Sequence, residues 1–257
     1  MKLVEVGATR LEYVRLPSAH PREGAPPIVL LHEGLGSVAM WRDFPQRVAD
    51  STGSEAVVYS RAGYGRSDPA RLPRAVRYMH EEGEQVLPAF LAALGLEKPV
   101  LFGHSDGGSI ALICAGGTDV ELSGVIAMAP HVLVEDVSVA SIAEAKTVYQ
   151  STDLAARLGK YHANVDAAFW GWNDIWLHPD FRAWNIEAYL PRIRCPILAL
   201  QGEDDEYGTM DQIDRIAAQA RDVELVKLAD CRHSPHKDQP AAVLDAVSGF
   251  IDRITGY

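Results

Sequence analysis

Pro99-Val100-Leu101-Phe102-Gly103-His104-Ser105-Asp106-Gly107 is an apolar run that ends in G-x-S-x-G and leads into the helix-like stretch Ile110–Ala115. The context matters more than the letters. A chain that leaves a buried strand and enters a helix at once must turn sharply, and the serine at the apex is pushed out towards solvent. Glycines fit beside it because side chains there would clash. The apex also lies at a helix N-terminus, where free N–H groups and the helix dipole favour negative charge. A bare G-x-S-x-G match is weak in 257 residues; between a strand and a helix it is strong.

The rest of the chain repeats the same form. Ile28–His32, Ala56–Tyr59, Val125–Ala129 and Ile197–Leu200 are short unbroken apolar runs, as expected for parallel strands buried on both faces. Leu11–Leu16 alternates weakly, and Val223–Leu228 alternates in the manner of a strand nearer an edge. Helical patterns fall between them. Val86, Leu87, Phe90, Leu91 and Leu94 share one face, and Pro88 predicts a kink or a late start there. Thr209 and Gln212 read as a capping box for a helix carrying Met210, Ile213, Ile216 and Ala217. The last helix has Asp238 as its cap, Pro240 near its first turn, and Val243, Leu244, Val247, Phe250, Ile251 and Ile254 along one side. Strand–helix alternation with right-handed crossovers predicts an α/β fold with a doubly wound, mostly parallel sheet.

From about residue 131 to 190 no buried strand pattern occurs. This stretch holds Trp170, Trp172, Trp176 and Trp184, four of the five tryptophans. It is expected to be a helical cap inserted into a core made of residues 1–130 and 191–257. Most of its aromatic residues are expected to be ordinary core, with at least two facing a ligand cavity, since such cavities are commonly apolar.

Composition narrows the function classes. The hydrophobic fraction is 47% and the formal net charge is −11. A surface of that sign repels phosphate backbones, so no nucleic-acid partner is expected. The longest apolar runs are too short to span a bilayer, and the N-terminus lacks an apolar signal region. Cys114, Cys195 and Cys231 form neither a zinc spacing nor an even-numbered framework, so reduced thiols and a cytoplasmic location are expected. The histidines lack metal-ligand spacing, and no cofactor or metal is expected. A homodimer through the cap or an edge strand is compatible with the sequence, which demands none.

Serine alone is a poor nucleophile; it needs a base, and the base needs an acid to orient it. The later strands end in such groups. Ile197–Leu200 runs into Gln201-Gly202-Glu203-Asp204-Asp205-Glu206. Val223–Leu228 runs into Ala229-Asp230-Cys231-Arg232-His233-Ser234-Pro235-His236. The order is serine, acid, histidine, as expected when the three stand at the carboxyl ends of successive strands.

At this point the chain resembles the α/β-hydrolase superfamily, in the subgroup with a helical cap. The residues that carry the likeness are Leu31-His32-Glu33-Gly34-Leu35-Gly36, Arg61-Ala62-Gly63-Tyr64-Gly65-Arg66-Ser67-Asp68, Gly103–Gly108, Gly202-Glu203-Asp204-Asp205, and His233–Pro240. They span nearly the whole chain in the right order; only the cap lacks a signature. The resemblance implies a sheet of about eight strands, a Ser–Asp–His triad, cofactor-free chemistry and an acyl-transfer reaction. By position it implies Ser105 as nucleophile, Asp205 as acid with Asp204 as rival, and His233 as base, with His236 capping or packing. Arg232 stands where many relatives have glycine. The resemblance also places the two oxyanion-hole N–H groups on Gly34 and Asp106. Glu33 stands where relatives usually have glycine, and a backbone donor tolerates that change.

Other residues have a packing reading beside a functional one. The glycines of Arg61–Ser67 suggest positive φ and a structural turn. His104 is expected to be packed and hydrogen-bonded. Asp106 could place a negative charge near the acyl pocket, and His131 could reach the cleft. Trp170, Trp172 and Trp176 are the cap residues expected to line it. The expected substrate is a small molecule with an apolar or aromatic group: a carboxylic ester, lactone or thioester. Hydrolysis of a C–C bond, a lyase step and a ligand-binding receptor on the same triad stay open. A serine at position 105 argues against the dehalogenase and epoxide-hydrolase relatives, which use aspartate.

Overall fold

The computed structural model describes residues 1–257. The chain opens with a hairpin of β1 (Lys2–Val6) and β2 (Thr9–Leu16), turned at Gly7 with φ 60°. β3 (Ile28–Leu31), α1 (Phe44–Thr52) and β4 (Ala56–Tyr59) follow. A helical segment then runs through α2 (Tyr78–Glu81) and α3 (Leu87–Ala93). Next come β5 (Val100–His104), α4 (Asp106–Gly117) and β6 (Gly124–Met128). The chain then leaves the sheet for α5 (Asp136–Ser151), α6 (Leu154–Leu158) and α7 (Val165–Trp176). It returns in β7 (Ile197–Gly202), α8 (Asp211–Gln219) and β8 (Val223–Leu228), and ends with α9 (Pro235–Asp238) and α10 (Pro240–Thr255).

The eight strands lie in the order β1-β2-β4-β3-β5-β6-β7-β8. β2 runs antiparallel to both neighbours, and all other pairs are parallel. Every residue of β3 to β7 is buried, which is why these strands read as unbroken apolar runs. Alternate side chains serve opposite faces. Val29, Val57, Leu101, Ala127 and Ala199 pack with α4 and α8. Leu30, Val58, Phe102, Ile126 and Leu198 pack with α1 and α10. The chain order reverses between β3 and β5. The carboxyl ends of those two strands therefore frame a crevice, the usual ligand position in open α/β sheets.

Pro88 stands in the first turn of α3, which starts at Leu87 after a π-helical turn at Glu82–Val86, in keeping with a late start. Two local expectations are corrected. Gln212 does not form a capping box. Its side chain instead accepts from Val132 N (2.7 Å) and donates to Leu133 O and Glu135, while the Thr209 hydroxyl donates to Glu135. Asp238 closes α9 and accepts from Arg232 N (3.0 Å), and Gln239 stands at the N-cap of α10. β1 was not foreseen, because an edge strand with four of five residues outside the buried class has no apolar run to signal it.

Close backbone approach explains the glycines around β5. A Cβ on Gly107 would collide with the carbonyls of Leu31 and His32, which the sheet prevents from moving. Gly249, exposed within α10, meets nothing within 4 Å and has ordinary helical backbone. Gly107→Ala is therefore expected to lower the unfolding midpoint by the equivalent of about 1–3 kcal/mol. Gly249→Ala is expected to raise it by the equivalent of about 0.5–1 kcal/mol. Calorimetry of the two variants checks both signs; equal midpoints would contradict the packing described.

Candidate active site

Ser105 sits between β5 and α4 with φ 53° and ψ −120°, a region that side chains rarely adopt. Its N–H donates to Met128 O (2.9 Å), which ties the turn to the end of β6. A Cβ at Gly103 would strike the backbone of Gly107, so the turn closes only with glycine there. His233 arrives from the loop after β8. Its Nε2 lies 3.0 Å from Ser105 Oγ, and its Nδ1 lies 2.8 Å from Asp205 Oδ1. Asp205 follows β7, and its Oδ1 also accepts from Tyr207 N (2.8 Å). The Asp205 side chain is 1% exposed and that of His233 13%. Burial pushes the Asp205 carboxyl up. The hydrogen bond and charge of His233, with the Tyr207 N–H, outweigh burial and hold it below the usual range. An ionised Asp205 fixes one His233 tautomer, with the proton on Nδ1 and the Nε2 lone pair facing the serine. Asp204, the rival acid, is exposed.

A cavity of about 180 Å³ opens above the serine. Ser105, His233, His131, Trp172, Trp176 and Tyr207 line it, together with Glu33, Gly34, Asp106 and Ile142. Trp172 and Trp176 come from α7, four residues apart and hence on one face. Trp170 is a correction: it lines a separate depression with Leu72, Arg74 and Asp174, under Lys146. Two residues of helix turn a side chain by about 200°, so the i, i+2 spacing already put Trp170 and Trp172 on different faces. Gly34 is required because the Trp172 indole N–H edge lies where its Cβ would be.

The remaining polar groups are tied into networks. His104, fully buried, donates through Nε2 to His233 O (2.7 Å), which holds the loop after β8 in place. Glu33 Oε2 is 3.7 Å from His104 Nδ1. Burial raises the Glu33 carboxyl, but the contact and charge of His104, with Lys237 nearby, take it well below the ordinary range. Asp106 does not offer its carboxylate to the cavity: Oδ2 accepts from Tyr78 OH (2.7 Å) and is 3.7 Å from Arg61. His131 packs on Trp176 (ring centroids 4.9 Å apart), and its Nδ1 is buried without a partner. His236 packs against Trp41 and Phe44. Gly63 and Gly65 have φ 85° and 56°, as the R-A-G-Y-G-R-S turn suggested. Sequence reading missed Tyr207, Tyr78 and Ile142. Only the position of Tyr207, two residues past the acid, was a signal. No three His, Cys, Asp or Glu side chains come together in a way that could hold a metal ion, and no helix is long and apolar enough to cross a membrane.

An eight-stranded sheet with a serine turn, a late acid and a late histidine defines a hydrolase class, and the comparisons agree with it. The chain belongs to the alpha/beta hydrolase family, whose model matches residues 28–246. It is 28% identical over 254 residues to a protein of Pseudomonas savastanoi pv. phaseolicola named "Putative carbamate hydrolase RutD", covering 89% of this chain and 95% of that one. Among solved structures, the enol-lactonase of Burkholderia xenovorans superposes with a TM-score of 0.76 at 17% identity, covering 97% of this chain and 99% of that chain. The meta-cleavage product hydrolase of Pseudomonas fluorescens does so with a TM-score of 0.74 at 16% identity, covering 98% of each. At these identities the superpositions speak for the fold.

Burial sets an acid-side stability limit. It pushes His131 down to about 3, aided by His233 and His104, and His236 down to about 2, aided by His104. Both start from an ordinary value of 6.5. Below that value the unfolded chain takes up protons that these two buried rings refuse, so stability falls as pH drops from 6.5 towards 3. Each ring contributes a slope of about 1.4 kcal/mol per pH unit. Denaturant melts at pH 7 and pH 5 are expected to show the loss. His236→Gln is expected to reduce it; an unchanged slope would contradict the assignment.

Proposed function

We propose that the protein is a serine hydrolase of small carboxylic esters, lactones or thioesters. The observation that supports this reading is the continuous Ser105–His233–Asp205 hydrogen-bonded chain at the floor of a cavity (3.0 and 2.8 Å). In this reading His233 takes the Ser105 proton as the oxygen attacks the substrate carbonyl. The N–H groups of Gly34 and Asp106 hold the developing oxyanion. His233 returns its proton to the leaving alcohol or thiol, and an acyl-enzyme forms. Water, deprotonated by His233, releases the acid and regenerates the serine.

Pocket size guides the choice of substrate. A cavity of about 180 Å³ is comparable to the ~150 Å³ apolar cavity that takes up one benzene ring, which suits a short acyl or small ring group. Its apolar walls, Trp172, Trp176 and Ile142, favour an apolar or aromatic moiety. His131 and the Trp172 N–H are the polar groups proposed to orient it. The carbamate activity in the relative's name and the lactone and C–C bond activities in the neighbours' names belong to those proteins. All are compatible with the same acyl-transfer machinery, and the pocket size favours the short ester or lactone here.

A panel of p-nitrophenyl esters from acetyl to octanoyl tests the reading. Turnover is expected to be highest for short chains and to fall steeply with length; no turnover of any ester or lactone would overturn it. Ser105→Ala is expected to remove turnover and keep the unfolding midpoint. Asp205→Asn is expected to cost roughly 10⁴-fold in kcat, whereas Asp204→Asn stays within a few-fold of the parent.

A further inference from the structure

Arg61 is a fully buried arginine that the proposed catalytic steps do not use (1% exposed). It stands just past β4, and its guanidinium crosses to the loop after β3. Nη1 donates to His32 O (2.5 Å) and Nη2 to Glu33 O (3.0 Å), while Nη2 lies 3.7 Å from Asp106 Oδ2. The Arg61 backbone N–H donates to His32 Nε2 (3.0 Å). That bond leaves the His32 proton on Nδ1, which donates to Glu33 O (2.6 Å). With the Gly36 N–H of the same loop (3.1 Å), three donors therefore converge on one carbonyl, two of them side chains. The Glu33–Gly34 peptide is trans, since the only cis bond in the chain is Leu72–Pro73. In a planar trans peptide the N–H points opposite to the C=O, so fixing Glu33 O fixes the direction of the Gly34 N–H.

The same cluster reaches the other donor. Asp106 Oδ2 accepts from Tyr78 OH (2.7 Å), and Tyr78 OH accepts from Trp176 Nε1 (3.1 Å). Asp106 is thus held by its side chain as well as by α4, whose first residue it is. A buried ion pair is weak support for stability, because desolvating both charges offsets their attraction. A cluster of this cost whose donors end on the carbonyls before Gly34 and on the Asp106 carboxylate fits a positioning role.

We infer that Arg61 is the positioning residue of the oxyanion hole, setting the Gly34 N–H through the Glu33 carbonyl and sharing with Tyr78 the Asp106 carboxylate that anchors the start of α4. This rests on the serine-hydrolase reading above. The planar guanidinium spans two carbonyls at once. A lysine ammonium keeps the charge but is a point donor and loses the span. Trp176 also lines the substrate cavity, so a substrate pressing on α7 is mechanically linked to the hole.

The test uses the full chain and a fluorophosphonate probe, whose phosphoryl oxygen becomes anionic in the same hole as Ser105 attacks and fluoride leaves. The variants are Arg61→Lys and Tyr78→Phe. Arg61→Lys is expected to slow Ser105 labelling roughly 10²-fold, the scale of losing one oxyanion donor, and Tyr78→Phe roughly tenfold. On any p-nitrophenyl ester that is turned over, kcat is expected to fall by the same factors with KM unchanged, a split that a loosened pocket would not give. If Arg61→Lys fails to fold, Tyr78→Phe decides, because it removes one hydroxyl and keeps the ring. Labelling and kcat at the parent's level in folded Tyr78→Phe, or in folded Arg61→Lys, would overturn the inference. A parent protein that is labelled but turns over no ester would overturn the substrate reading alone, since the labelling rates still report on the hole. A parent that resists labelling at Ser105 would overturn both.

Discussion

Ser105 adopts φ 53° and ψ −120°, and much of the molecule serves to keep it there. A non-glycine residue in so sparsely populated a region costs of order 1–3 kcal/mol and persists only where its surroundings over-determine it. Here the surroundings are specific. β5 pairs with β3 and β6 on either side. The Ser105 N–H is bonded to the end of β6, and glycines at 103 and 107 let backbone pass where a methyl group would not fit. The strain lifts one hydroxyl to the carboxyl edge of the sheet. It also turns the first N–H groups of α4 towards the same point, where the helix dipole assists an anion.

Four strand ends then meet around that hydroxyl. β3 supplies Glu33 and Gly34, β5 supplies His104 and Ser105, β7 leads to Asp205, and β8 leads to His233. The strand order reverses between β3 and β5, so the loops after them diverge and leave room for a ligand. α7 roofs the space with Trp172 and Trp176. Behind this surface lies a layer of buried polar groups: His104 on the carbonyl of His233, Arg61 on the carbonyls of His32 and Glu33, Tyr78 on Asp106. The proposed mechanism needs none of them to touch a substrate; each holds a group to which that mechanism assigns a role.

Much of this was legible in the sequence, for physical reasons. Strands buried on both faces have no choice but to read as unbroken apolar runs, so β3 to β7 announce themselves. A serine, an acid and a histidine placed at successive strand ends leave polar loops in fixed order, which made Asp205 and His233 legible. What was hidden depends on three-dimensional neighbours. β1 lacks an apolar run because it is a solvated edge. Gln212 and Thr209 carry the letters of a cap, but the main chain at 132–133 claims Gln212 and the Glu135 carboxylate claims both. The role of Arg61 was invisible because its partners are main-chain carbonyls nearly thirty residues away. Trp170 is different: helical geometry alone separated it from Trp172, and composition drew attention to it for the wrong reason.

If the strained turn presents Ser105 as a nucleophile activated by His233, rapid-quench mass spectrometry during turnover of a short p-nitrophenyl ester tests it most directly. A transient gain of one acyl mass is expected on the peptide that carries Ser105, lost on completion and absent in Ser105→Ala. Turnover with the acyl group on another residue, or undiminished turnover in Ser105→Ala, would contradict it.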